Sequence, residues 1–167
     1  MASDKGEEGR FSELLGRHRG IIFKVANTYC RNRADREELA QEIATQLWRA
    51  FPSFDSERAF PTWMYRIALN VAISFVRSRA RERHTVALDE SHDRADASGD
   101  EMESDERVAL LYRFIDELDP LNRALLLLYM DDRSYREIAN ILGITETNVA
   151  TKISRLKQRI SKQSSTL

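Results

Sequence analysis

Apolar side chains recur at every third or fourth position along most of the chain, which is the spacing that gathers them on one face of an α-helix. The alternation of apolar and polar residues that marks a half-buried β-strand does not occur. Only three prolines and six glycines interrupt the 167 residues. The pattern therefore predicts an all-α protein.

The N-terminal part is expected to contain three helices. The first covers Arg10 to Tyr29, and the second begins at Asp35, where the D-x-x-E spacing resembles a capping box. Pro52 stops the second helix. The loop SFDSERAF follows, and a third helix then completes a small three-helix bundle.

The third helix is expected from Trp63 to about Arg83, with Thr62 as its N-cap. Its apolar side chains fill a broad arc, but Trp63 lies outside that arc, about 60° from Arg66 on the helical wheel. It shares a stripe with Arg66, Asn70, Ser74, Arg77 and Arg81. A tryptophan among cations can stack on an unpaired base while arginines hold phosphates. The alternative is that the preceding loop covers Trp63.

The second helix has a polar face opposite its buried side. Glu38, Gln41, Glu42 and Arg49 are expected on that face, and Trp48 at the edge of the buried side. On composition alone, these acidic and amide groups favour an ordinary solvated surface. The alternative is a surface that binds another protein.

The C-terminal part has the local signals of a helix-turn-helix. One helix opens at Asp119-Pro120, and Ser134 begins an S-x-x-E capping box for the next. Gly143 is placed to end that helix in the left-handed conformation, and Thr145 can cap the helix that follows. A helix, a tight turn with glycine and a second helix together predict DNA binding.

The last helix divides into two sides, as a recognition helix requires. Its apolar side consists of Val149, Ile153, Leu156 and Ile160. Its polar side consists of Asn148, Thr151, Lys152, Arg155 and Arg159, which offer amide, hydroxyl and cationic groups to base edges and phosphates. The alternative is a helical hairpin with a solvated basic face.

Charge is unevenly distributed. The net charge of −1 conceals +4 on residues 1–88, −8 on residues 89–106 and +3 on residues 107–167. The acidic strip has almost no large apolar residues and cannot bury enough surface to fold alone. We interpret residues 89–106 as a flexible linker between two small helical domains. Its charge either keeps a simple connection solvated, or mimics nucleic acid or lies in a basic channel of a partner.

Several classes of function are disfavoured. Cys30 is the single cysteine, so a buried thiol is expected rather than a disulfide or a cysteine-rich zinc site. His18, His84 and His92 have no ligand spacing, and no glycine loop suits a phosphate. We therefore predict no metal, no cofactor and no enzymatic activity. No apolar run approaches a membrane span and no signal region is present, which predicts a soluble, cytoplasmic protein without membrane insertion.

Three stretches, in this order, resemble the sigma factors of bacterial RNA polymerase, specifically the extracytoplasmic-function (ECF) group. The stretch DREELAQEIATQLWRAF resembles the family's polymerase-binding helix, and FPTWMYRIALN resembles its promoter-melting signature. SYREIANILGITETNVATKISRLKQRI resembles its C-terminal reader of the −35 element. The resemblance implies sigma region 2 at residues 1–88 and sigma region 4 at residues 107–167. It also implies an initiation factor that directs core polymerase to promoters and opens the DNA.

The resemblance further implies roles for individual residues. Contacts to the clamp helices of the polymerase β′ subunit are implied for Glu38, Gln41, Glu42 and Trp48. Contacts to the −10 element are implied for Phe54, Asp55, Ser56, Phe60, Trp63, Arg66, Asn70 and Arg77, with the loop from Phe54 to Phe60 capturing a flipped-out base. Contacts to the −35 element are implied for Ser134, Tyr135, Arg136, Asn148, Thr151, Lys152, Arg155 and Arg159.

The implied partners are core RNA polymerase, promoter DNA and an anti-sigma factor that covers both binding surfaces. On the polymerase, the β′ clamp helices and the β flap are the expected contacts, and the holoenzyme is expected at the nucleoid. The alternative is a conventional helix-turn-helix regulator whose N-terminal bundle dimerises or senses a signal. The acidic-amide face and the Trp63 stripe argue against that alternative.

Overall fold

The computed structural model describes residues 2–89 and 106–165. All regular secondary structure in these residues is helical, with no strand. The helices are α1 (Ala2–His18), α2 (Gly20–Tyr29), α3 (Arg33–Ala50), α4 (Phe60–Asp89), α5 (Glu106–Glu117), α6 (Pro120–Met130), α7 (Tyr135–Leu142) and α8 (Glu146–Ser164). A short 3₁₀ turn, Phe51–Ser53, follows α3. The all-α prediction is confirmed.

The N-terminal bundle has four helices, so the prediction of a three-helix bundle is wrong. The single helix expected from Arg10 to Tyr29 is divided into α1 and α2 at Arg19. The N–H of Ile22 donates to the Arg19 carbonyl at 3.1 Å, which tightens the chain locally from an α-turn to a 3₁₀-type turn. The apolar face continues across this break, so hydrophobic spacing gave no signal of it. Helix α1 also begins earlier than expected, in a segment without large apolar residues.

Helix α3 begins two residues before the predicted start. Asn32 is its N-cap, since the Asn32 side chain accepts a hydrogen bond from the Asp35 N–H at 3.2 Å. Asp35 lies inside the first turn, and the capping box predicted there is wrong. The carboxylate of Glu38, which that box would have used, pairs with Arg79 of α4 instead. The helix ends before Pro52, as predicted.

Helix α4 is longer at both ends than expected. It begins at Phe60, with Pro61 in its first turn, where a missing N–H costs nothing. The Trp63 N–H donates to the Ala59 carbonyl at 3.2 Å, so helical hydrogen bonding has started before Thr62 could cap it. The Thr62 cap is therefore wrong, and the helix continues to Asp89 rather than Arg83.

The core of the N-terminal unit lies between α2, α3 and α4. Val25, Leu39 and Tyr65 are completely buried there, and each large apolar side chain contributes about 1.5–3 kcal/mol relative to leaving it exposed. Cys30 is buried at the end of α2, as predicted. Helix α1 joins this unit through Phe11, whose ring contacts residues at the end of α3.

The described helices form two compact units, α1–α4 and α5–α8. The linker predicted at residues 89–106 lies outside the described residues, apart from its first and last positions. In the C-terminal unit, Leu125, Leu128, Ile138 and Ile153 form the buried centre. Asp119 caps α6 by accepting from the Asn122 N–H at 2.8 Å, as the Asp-Pro pair predicted.

The helix-turn-helix signals are confirmed. Ser134 accepts from the Glu137 N–H at 3.1 Å, and the Glu137 carboxylate accepts from the Ser134 N–H at 3.3 Å, so both halves of the capping box are present. Gly143 ends α7 with φ at +68°. Thr145 caps α8 by accepting from the Asn148 N–H at 3.1 Å. Local hydrogen bonds thus set the turn between α7 and α8.

We expect Gly143→Ala to lower the free energy of unfolding by about 1 kcal/mol, because an L-residue is disfavoured in the left-handed region. No atom lies within 4 Å of a Cβ added there, so the cost comes from the backbone alone. Gly16→Ala in α1 is the matched control: it also meets open space, but in a helix it should be neutral or stabilise by about 0.5–1 kcal/mol. Denaturant unfolding followed by circular dichroism measures both. Equal effects of the two variants would contradict a backbone origin.

Candidate polymerase- and DNA-binding surfaces

The polar face of α3 is exposed as predicted. Glu38, Gln41, Glu42 and Arg49 all lie on the surface. Gln46 donates to the Glu42 carboxylate at 3.0 Å, which links two polar side chains along the helix. Trp48 is 39% exposed, and its ring contacts Phe11 with centroids 5.2 Å apart. The face therefore combines acidic and amide groups with one large, partly exposed aromatic ring.

Arg79 of α4 anchors one end of this face. Its guanidinium pairs with the Glu38 carboxylate and lies 3.8 Å from Asp35 Oδ1 and 3.7 Å from Glu82 Oε2. It also lies over the ring of Phe75, 5.1 Å from the centroid. Arg79 was not predicted to be part of the surface. The available signal was a cation four residues after Phe75, on the apolar side of α4.

A groove of about 680 Å³ separates the polar face of α3 from α4. Glu38, Glu42 and Gln46 line it from α3, and Asn70 lines it from α4. Its walls also include the apolar side chains of Ala50, Ile67, Val71 and Phe75. Residues predicted for two different partners, Glu42 and Asn70, therefore border the same groove.

An aromatic cluster, formed by Phe51, Phe54, Phe60 and Trp63, holds the loop before α4. The Trp63 ring centroid lies 5.0 Å from that of Phe54, 5.3 Å from that of Phe60 and 6.3 Å from that of Phe51. Such distances are typical of favourable aromatic pairs. The loop partly covers Trp63, which is half-buried. This matches the alternative raised for the tryptophan, and it explains why its position outside the apolar arc does not leave it fully exposed.

The remaining residues of the predicted −10 surface differ in exposure. Asn70 and Arg77 are exposed on α4, whereas Arg66 is half-buried. In the loop, Asp55 and Ser56 are exposed. The Asp55 carboxylate accepts from the Glu57 N–H at 3.0 Å, which stabilises the turn at the loop's tip.

The predicted −35 residues all belong to α7, α8 and the N-cap of α7. Ser134 and Arg136 are exposed and Tyr135 is half-buried at the start of α7. On α8, the exposed residues are Asn148, Thr151, Arg155 and Arg159, while Lys152 is half-buried. Val149, Ile153 and Leu156 are buried on the opposite side, so the predicted division of the helix is confirmed.

Two cations of α8 have partners within the C-terminal unit. The Arg159 guanidinium lies 5.6 Å from the ring centroid of Phe114 in α5. The Lys157 ammonium lies 4.8 Å from the ring centroid of Tyr129 in α6, and a hydrogen bond to Tyr129 raises the pKa of Lys157 above its ordinary value. Arg155 is therefore an exposed cation near the middle of the outward face, whereas the Arg159 side chain contacts Phe114 of α5.

The described residues contain no group of three or more histidine, cysteine or carboxylate side chains that could hold a metal ion. Among those same residues, no helix is both long enough and apolar enough to span a membrane.

Two family models match the chain, each within one of its units. The model of Sigma-70 region 2 matches residues 14–82, and the model of Sigma-70 region 4 matches residues 101–160. The ECF RNA polymerase sigma-E factor of Escherichia coli K12 is 28% identical over 167 residues, covering 93% of this chain and 87% of the relative. The chain belongs to the ECF group of sigma factors.

A second relative agrees with this family assignment of the sigma factor, and two solved structures share its fold. The ECF RNA polymerase sigma factor SigE of Mycolicibacterium smegmatis is 30% identical over 162 residues, covering 94% of this chain and 62% of the relative. CnrH, solved in complex with the cytosolic domain of CnrY, has a TM-score of 0.68 at 21% identity, covering 95% of this chain and 90% of CnrH. RpoE, solved with the anti-sigma factor NepR from Bartonella quintana, has a TM-score of 0.66 at 19% identity, covering 95% and 96%. At these identities the two structures support the fold alone.

The function of the sigma factor follows from its family: it directs RNA polymerase to promoters. The alternative of a conventional regulator with a sensing or dimerisation bundle is wrong, because the N-terminal unit matches the region 2 model rather than an unrelated bundle. Sigma factors are initiation factors and not enzymes. The roles of individual residues remain predictions.

We expect Trp63→Ala to lower the free energy of unfolding by about 2 kcal/mol, less than the 3–5 kcal/mol typical of a fully buried tryptophan, because the ring is half-buried. The loss reflects its contacts with Phe51, Phe54 and Phe60. Trp48→Ala removes an equally large ring that contacts Phe11 and should cost less. Thermal and denaturant unfolding of both variants test this. A smaller loss for Trp63→Ala than for Trp48→Ala would show that the cluster contributes little.

Proposed function

We propose that this ECF sigma factor binds core RNA polymerase through the polar face of α3 and opens promoter DNA with the 54–60 loop and the outer stripe of α4. The groove between α3 and α4 is the observation that carries this proposal, since Glu42 and Asn70 line it from opposite sides. Polymerase bound on one side would hold the opening DNA strand close to the other. We assign region 2 to residues 1–88, region 4 to residues 107–167 and the linker to residues 89–106.

The chemistry of the α3 face suits a basic partner. Glu38 and Glu42 supply carboxylates, Gln41 supplies an amide, and Trp48 offers a partly exposed ring of the kind that often anchors protein interfaces. A rim of charges mainly steers association, whereas a desolvated aromatic ring contributes more to affinity. We place the β′ clamp helices of the polymerase on this face.

The chemistry of the −10 surface suits single-stranded DNA. Asn70 is exposed and can both donate and accept, which fits the edge of an unpaired base. Arg77 lies two turns further along α4 and can contact a phosphate. In the adjoining loop, Phe54 and Trp63 are half-buried and Phe60 is buried, while Asp55 and Ser56 are exposed polar groups at the tip. Arg66, one turn after Trp63 on α4, is assigned to the same surface.

The C-terminal unit supplies the −35 contacts in this proposal. Asn148, Thr151, Lys152 and Arg155 face the major groove, with Arg159 beside them, while Ser134, Tyr135 and Arg136 lie near phosphates at the start of α7. The β flap of the polymerase is the proposed protein contact of this unit. Such a factor acts in the cytoplasm, at the nucleoid when it is part of the holoenzyme.

An anti-sigma factor is the proposed inhibitor. RpoE of Bartonella quintana was solved with the anti-sigma factor NepR, and CnrH was solved with the cytosolic domain of CnrY. By analogy, we propose that a protein of this kind covers the α3 face or the α8 face and so prevents binding to polymerase or promoter.

The polymerase contact is tested by Gln41→Ala combined with Glu42→Lys. We expect this variant to bind core polymerase at least tenfold more weakly, because a buried interfacial charge of the wrong sign costs several kcal/mol. Unfolding should hardly change, since both side chains are exposed. Glu8→Lys, an equally charged change on α1, is the control and should bind as wild type. Fluorescence titration of labelled protein with core polymerase gives the affinities, and unchanged binding of the double variant would remove α3 from the interface.

The role in strand opening is tested by Asn70→Ala. We expect intact binding to core polymerase and slower open-complex formation on duplex promoters, measured by permanganate reactivity of promoter thymines. Losing one base contact should slow opening about tenfold. A template already mismatched across the −10 region should recover part of the loss, because the cost of opening has been removed. Weaker binding to core polymerase, or normal opening of duplex promoters, would refute the assignment.

A further inference from the structure

A second cavity of about 300 Å³ lies between α1 and the 54–60 loop. Phe54 and Phe60 line it from the loop side, while Arg10, Glu13 and Arg17 line it from α1. This volume is at the lower end of the range for small-ligand sites. The sequence analysis assigned the loop to DNA but gave α1 no role beyond packing.

Aromatic contacts hold α1 against the loop. Phe11 is buried, with its ring centroid 5.2 Å from that of Trp48 and 5.1 Å from that of Phe51. About two turns further along, the His18 ring lies 5.6 Å from Phe60. These two contacts lie on either side of Glu13 in the sequence. The α1 wall of the cavity is therefore held at one end by the close of α3 and at the other by the start of α4.

The two walls of the cavity differ in chemistry. On the loop side, Phe54 is half-buried and leaves part of its ring exposed for a base to stack on, whereas Phe60 is buried. Arg10, Arg17 and, from the loop, Arg58 supply cations suited to phosphate. Glu13 pairs with Arg17 at 2.7 Å through its Oε1 atom. A carboxylate has about four acceptor positions, so Glu13 can also accept from the amino group of a base.

We propose that Arg10 and Glu13 of α1 form the second wall of a pocket for one unpaired nucleotide of the −10 strand. Glu13 selects a base that carries an exocyclic amino group, and Arg10 contacts the adjacent phosphate. This inference rests on the proposed −10 role of the loop and extends it to α1, where Arg10 and Glu13 lie just before the region 2 match, which begins at residue 14.

The test uses holoenzyme assembled from core polymerase and the full chain, with a promoter fragment that the wild-type holoenzyme transcribes. Every position of the −10 non-template strand is replaced in turn by each of the four bases, and single-round transcripts are measured. At one position, we expect wild type to prefer the bases with an exocyclic amino group (adenine, cytosine and guanine) over thymine. Glu13→Ala should reduce that preference about tenfold, as expected for losing one base contact, and leave the other positions unchanged.

Matched variants separate base selection from general effects. Glu8→Ala, on another side of α1, should keep every preference of wild type. Glu13→Gln retains an acceptor oxygen and should keep part of the preference that Glu13→Ala loses. Arg10→Ala should weaken transcription equally for all four bases at that position. It should also reduce the salt dependence of open-complex formation by the amount expected for about one lost phosphate contact, whereas Lys5→Ala should change neither quantity.

The proposal is overturned if Glu13→Ala retains all base preferences of wild type while binding core polymerase normally. It is also overturned if Glu13→Ala weakens core binding, because α1 would then belong to the polymerase surface. Failure of the underlying function is distinguishable through Phe54→Ala. If the loop has no −10 role, Phe54→Ala keeps every base preference of wild type; if only the α1 wall is wrong, Phe54→Ala alters a preference and Glu13→Ala does not.

Discussion

The aromatic cluster of Phe51, Phe54, Phe60 and Trp63 is the interaction on which the working surfaces of the N-terminal unit depend. The segment between Phe54 and Phe60 has no regular secondary structure, and its tip is charged and exposed. Only its aromatic ends can bury apolar area. Because the centroid of each of the four rings lies 5.0–6.3 Å from those of two or three others, the loop has a defined position without a helix or a strand of its own.

The same cluster connects three helices. Phe51 follows α3 directly, Phe60 begins α4, and Phe11 and His18 bring α1 against these rings. The proposed polymerase face on α3, the proposed DNA stripe on α4 and the cavity wall on α1 are thus attached to one shared packing site. A change in the packing of these rings would alter the geometry of all three surfaces together, so a stability measurement has to accompany any functional measurement on them.

The features that the sequence predicted correctly are those set by neighbouring residues. The capping box at Ser134, the left-handed Gly143 and the two sides of α8 each depend on side chains within a few positions, and all were found. Some errors are local, such as the missed Asn32 cap of α3 and the missed division between α1 and α2. The other errors concern longer-range interactions. Glu38 was predicted to belong to a capping box. Its observed partner, Arg79, lies 41 residues away, and local spacing contains no signal of that pair. Trp63 seemed exposed because a helical wheel contains no information on the loop that covers it. The cavity beside α1 was not predicted, because it forms where α1 lies beside the 54–60 loop and no local sequence pattern indicates that contact.

Helix α4 is a single rod of 30 residues, about 45 Å long, without proline or glycine after its first turn. Asn70 lies in its first half, and the helix continues for 19 residues beyond it, which carries the chain about 28 Å away before the helix ends. One inserted or deleted residue in this second half would shift the exit point by about 1.5 Å and rotate it by about 100°. Variation in the length of α4 can therefore change where the helix ends and which way its last residue faces, without changing any side chain of its first half.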